Sequence, residues 1–124
     1  MENIPAEVQL ESIKSFQSTI RKSEKALVQM KGKGANTSLI EKRLKAHLVG
    51  LAVLEHLWRG EAHLYSKREL AEARDVLAGL LPSIEKLYGK SKESSPQRTL
   101  LERRIKSLEL VIGEIDDLSD DEKI

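Results

Sequence analysis

The segment Ser38–Arg59, SLIEKRLKAHLVGLAVLEHLWR, decides how the chain is read. Apolar residues stand at Ile40, Leu44, Leu48, Leu51, Leu54 and Trp58, and Leu39, Ala52, Val53 and Leu57 widen the stripe. Steps of three and four put such side chains on one side of an α-helix. An apolar arc this broad is more than a helix touching one neighbour needs to bury, so the segment is expected at the centre of a helical bundle.

Working outward, the remaining apolar residues fall into three more helical patterns. Ile13, Phe16, Ile20, Leu27 and Met30 keep heptad spacing, with Ser23 at the intervening position. Leu70, Ala73, Leu77, Leu80, Ile84 and Leu87 step by three and four, and Leu101, Ile105, Leu108, Ile112, Ile115 and Leu118 do the same. Punctuation between them is clear. Pro5 suits a first helical turn. Gly32 or Gly34 suits a helix end, and so do Gly60 and Gly89. Ser38 with Glu41, and Ser66 with Glu69, have capping-box spacing. Ser95-Pro96 pairs an N-cap with proline at the first helical position. Pro82 interrupts the third pattern and predicts a kink or restart at 81–83.

These signals predict an all-α, up-down-up-down antiparallel four-helix bundle with helices at about 6–31, 38–59, 67–88 and 96–118. Links of five to eight residues favour antiparallel neighbours. A single domain over 1–124 is expected, with a frayed acidic tail at 119–124. Leu64 or Tyr65 is expected to tuck under the bundle end.

Composition narrows the chemistry. The 124 residues contain no Cys, which excludes disulfides, thiolate metal sites and a thiol nucleophile. Glu41, Lys42, Arg43, Lys45 and Glu55 interrupt even the most apolar run, so no membrane span is predicted. The opening MENIPAEVQLES has no basic stretch followed by an apolar one, and a cytoplasmic location is expected. His47, His56 and His63 lack the Glu-x-x-His and HExxH arrangements of helical metal sites. No metal, cofactor or enzymatic role is expected, and His47 is read as a satisfied core or boundary residue. Trp58-Arg59-Gly60 is similar to the W-x-G at the central turn of secreted WXG-type helical hairpins. That family has two helices where four are expected here, and no function is carried over.

Charge placement is the remaining functional signal. Between Arg21 and Lys45 eight basic residues face only Glu24 and Glu41, whereas Glu114–Glu122 holds six acids and no base. In an up-down-up-down bundle these runs lie at opposite ends, and Lys86, Lys90, Lys92, Arg98, Arg103 and Arg104 add to the basic one. The expectation is a non-enzymatic interaction or regulatory module. Its basic end, centred on Lys31, Lys33, Lys42, Arg43 and Lys45, would dock an acidic surface of a protein partner. A nucleic-acid backbone held by the same end is the alternative reading, and a purely structural or self-associating bundle the second. Monomer and homodimer both fit the pattern.

Overall fold

The computed structural model of the chain describes residues 4–121. Its elements are α1 (Ala6–Gly32), α2 (Ser38–Arg59), α3 (Lys67–Lys90) and α4 (Pro96–Asp121), with no strand among the described residues. The all-α four-helix bundle is therefore the fold. α3 runs through Gly89 to Lys90, and α4 continues to Asp121 where fraying from 119 was expected; residues 122–124 of that tail lie outside the described residues. Pro82, on the exposed side, neither splits nor ends α3. Among the described residues no helix is long and apolar enough to cross a membrane.

Local chemistry explains the boundaries. Ser66 Oγ accepts from Glu69 N–H at 3.1 Å while Ser66 N–H donates to Glu69 Oε1 at 3.1 Å, a complete capping box. Arg98 N–H donates to Ser95 Oγ at 3.1 Å to open α4. Gly60 closes α2 at φ 69°, a left-handed conformation that suits glycine. The box expected at Ser38 does not form. Ser38 is already helical, its N–H donating to Asn36 Oδ1 at 2.9 Å, and Glu41 accepts from Thr37 Oγ1 at 3.2 Å instead.

The order of directions differs from the expected up-down-up-down. Lys45 Nζ lies 3.1 Å from Glu69 Oε2, and Gly50 lies against Leu77. Residues advancing along α2 thus meet residues advancing along α3, so the two helices run parallel. An antiparallel pair would put Glu69 near the end of α2, about 18 Å along the axis from Lys45 at 1.5 Å per residue. Glu11 of α1 pairs with Arg103 of α4 at 2.7 Å, and Val8 shares a groove with Tyr88 and Thr99. α1 and α4 therefore also run parallel. The hairpins α1–α2 and α3–α4 remain antiparallel, as Lys31–Glu41 at 3.9 Å and Arg74–Asp116 at 3.1 Å record.

Residues 60–66 make this order possible. They form no helix and run back along α2 as an extended strap. Glu61 O is 2.8 Å from His56 Nδ1, the His63 and His56 rings meet edge to face at 4.9 Å, and Tyr65 stands 5.7 Å from Lys45 Nζ. Tyr65 packs on the core flank, while Leu64 is 97% exposed.

The core joins Ile13 and Phe16 of α1, Val49, Val53 and Leu54 of α2, Leu77 of α3, and Leu108, Val111 and Ile115 of α4. Gly50 lets the Phe16 ring lie on the α2 backbone; a Cβ there would meet Phe16 Cε2 at 2.5 Å. The buried face of α2 is Ala46, His47, Val49, Gly50, Val53 and Leu54, rotated from the stripe read in the sequence. Leu39 and Leu48 are exposed, and Leu51 and Trp58 are only partly buried. The apolar arc of α2 covers so much of the helix that its spacing alone does not locate the centre.

Leu54→Ala and Leu108→Ala should each lower stability by about 2–5 kcal/mol, since both side chains are fully enclosed. Leu48→Ala should lower it by less than about 1 kcal/mol. Urea unfolding of the three variants checks the register, and a large loss at Leu48 would contradict it.

Candidate interaction surface

Lys31, Lys33, Lys42, Arg43 and Lys45 are all exposed and lie at the end of the bundle formed by the α1–α2 link. Helix geometry brings them together: Lys31 and Lys33 close α1, and Lys42, Arg43 and Lys45 occupy the first two turns of α2. From Arg21 to Lys45 no residue is fully buried, and Leu27, Met30, Ile40 and Leu44 are half-buried apolar side chains beneath this end. Lys31 is engaged with Glu41, and Lys45 with Glu69 and the Tyr65 ring. Lys33, Lys42 and Arg43 make no ion pair among the described residues. Lys42 and Lys45 also line an open cleft of about 430 Å³ between α2 and α3, with Glu69, Glu72 and Val76 opposite. The bond from the Ser66 backbone N–H, then the bond and charge of Lys45, hold the Glu69 carboxyl below its ordinary value.

The expected separation of charge along the molecule does not form. Parallel packing of α1 with α4 carries Asp116 and Asp117 toward the α1–α2 end, where the basic run already lies. The second basic group sits at the other end, beside Glu7 and Glu11. There Arg103 is paired with Glu11, and the Arg98 guanidinium stacks 4.1 Å above the Tyr88 ring. Arg98 also donates to Tyr88 O at 3.3 Å and Ser91 O at 3.2 Å. Each end of the bundle therefore carries both signs.

The inner faces hold four polar groups, of which only His47 is expected there from the sequence. Ser12, His47, Ser107 and Glu114 are buried. His47 Nδ1 is 2.8 Å from the carbonyl oxygen of Arg43, which only accepts, so Nδ1 carries the proton. Burial lowers the His47 pKa from its ordinary 6.5, and the nearby Arg104 and Arg43 charges lower it further, against the opposing pull of the backbone bond. Arg104 is itself partly buried, with no partner at Nε, and its pKa is lowered by that burial. Among the described residues no three His, Cys, Asp or Glu side chains converge as metal ligands. The Glu61 contact to His56 comes from its backbone carbonyl, which leaves no carboxylate in the His56–His63 pair.

Comparison with protein-family models, with curated proteins and with solved structures finds no match.

A lowered imidazole pKa has a direct consequence for stability. Well above 6.5 His47 is neutral in both folded and unfolded chains, and its effect on stability is constant. Below that value the unfolded chain takes up a proton that the folded one resists, so stability falls with pH. The urea midpoint should drop between about pH 7.5 and pH 5.5, in the range where imidazoles titrate. His47→Gln should flatten that slope, and an unchanged slope in the variant would remove His47 as the cause.

Proposed function

We propose that this chain is a non-enzymatic interaction module, working in the cytoplasm, that docks an acidic protein surface at its α1–α2 end. Lys33, Lys42 and Arg43 supply the unpaired positive charge, and Lys31 and Lys45 flank them. The single observation that supports this most is the coincidence of exposed, unpaired cations with a stretch, Arg21–Lys45, in which no residue is fully buried. Cations satisfied within the fold, such as Arg103 and Arg74, have little to gain from a partner. Those at Lys33, Lys42 and Arg43 gain an opposite charge only by docking.

Exposed Val28 and Leu39 lie in the same stretch, 71% and 58% accessible. They suit a partner that alternates carboxylates with apolar side chains, since interface energy concentrates in apolar anchors and charge mainly sets encounter rate and register. The mixed charge of this end, with Glu41, Asp116 and Asp117 close by, suits a patterned acidic protein surface better than a uniform phosphate backbone.

The test uses a labelled peptide of alternating Glu and Leu, with duplex DNA and single-stranded RNA as competitors. The native chain should bind the peptide. The combined Lys33→Glu, Lys42→Glu and Arg43→Glu variant should bind at least about tenfold more weakly, a loss near 1.4 kcal/mol, with helicity unchanged by circular dichroism. Equal binding by the variant would overturn the proposal. Preferential binding of the nucleic acids with steep salt dependence would replace it with the phosphate-backbone reading.

A further inference from the structure

The strap between the two hairpins has almost no slack. Lys45 lies fourteen residues before the end of α2, which is about 21 Å along the helix axis at 1.5 Å per residue. The chain must cover that distance, and the lateral step to α3, with residues 60–66. Seven residues reach about 23–25 Å when fully extended. Glu61 is still held beside His56, so the real extension falls on even fewer residues.

The strap is held at its two ends, by Glu61 and His63 on His56 and by Tyr65 at Lys45, and its middle is less well satisfied. His63 Nδ1 is buried without a hydrogen-bond partner, and Leu64 projects 97% exposed. By contrast, the surfaces that the strap joins are the core itself. Phe16, Val53 and Leu54 on one hairpin enclose Leu77, Leu108 and Val111 on the other. The ion pairs Lys45–Glu69 and Glu11–Arg103 also bridge the two hairpins. Arg74–Asp116 and Lys31–Glu41 lie within single hairpins.

We propose that residues 60–66 are the hinge of a hairpin exchange, in which two copies of this chain trade their α3–α4 hairpins and form a symmetric dimer. The geometry favours it. When two bundles lie side by side in opposite orientation, the end of α2 in one is level with the start of α3 in the other. The link then crosses sideways between neighbours instead of returning along the whole of α2. Every core contact and both inter-hairpin ion pairs re-form in each lobe, so exchange loses none of them and relaxes the link. Short connections with no slack are the circumstance in which swapping competes with the closed monomer.

The experiment refolds an equal mixture of ¹⁴N- and ¹⁵N-labelled native chain at millimolar concentration and separates species by size with light scattering. A carbodiimide then couples Lys45 to Glu69 directly, because their side chains touch. Exchange predicts a species of doubled mass in which about half of the Lys45–Glu69 cross-linked peptides join one light and one heavy partner, as random pairing of two labels requires. A strap lengthened by Gly-Ser-Gly-Ser-Gly-Ser after Ala62 should return the protein to the monomer. Deletion of Ala62 and His63 should leave only dimer. A dimer whose cross-links are all same-label would be surface association and would overturn the proposal. A native chain that stays monomeric under these conditions would overturn it equally. If the deletion variant fails to fold, the label mixing in the native chain still decides.

Discussion

Parallel packing of α2 on α3, pinned where Lys45 meets Glu69 and Tyr65, is the constraint from which the rest of the structure follows. Two consecutive helices of similar length can lie parallel only if the link between them travels the length of one helix. Once residues 60–66 do so, the α3–α4 turn is carried to the end where α1 begins, and Glu11 can reach Arg103. The acidic end of α4 is carried the other way, toward the basic α1–α2 link. Neither the core nor the charge distribution can be understood before that one connection is placed.

The helices themselves were legible. Periodic apolar residues and turn chemistry are local, and α2 at Ser38–Arg59 coincides with the broad apolar segment of the sequence. The capping box at Ser66 and the cap at Ser95 formed because each needs only its own few residues. Direction was not legible in the same way. Heptad spacing in Leu101 to Leu118 says which face of α4 is apolar and nothing about which way the helix points. Seven link residues can make a turn between antiparallel neighbours, or, drawn out, a crossover between parallel ones.

The candidate surface was legible only in part. Its five basic residues are exposed and gathered at one end, as their positions at the close of α1 and the start of α2 require. Their electrostatic setting depends on the order of helix directions, which spacing in the sequence does not carry. Arg103 and Arg98 count toward the same positive end in the sequence, yet they lie at the opposite one, paired and stacked, while Arg104 is partly buried near His47. In α2 a similar ambiguity arose from plenty: Leu44, Leu48 and Leu51 form as good a stripe as Ala46, Val49 and Val53. The Gly50 gap that admits Phe16 decides between them.

Because the native chain has no Cys, spin labels can be placed in pairs without background. The direct test of the parallel arrangement compares two distances in the monomer, one from Glu7→Cys to Gln97→Cys and one from Glu7→Cys to Asp117→Cys. The account predicts the first to be short, about 10–15 Å for neighbouring helices at the same level, and the second to exceed about 25 Å at 1.5 Å per residue. A short distance to position 117 and a long one to position 97 would restore the up-down-up-down order and contradict the account.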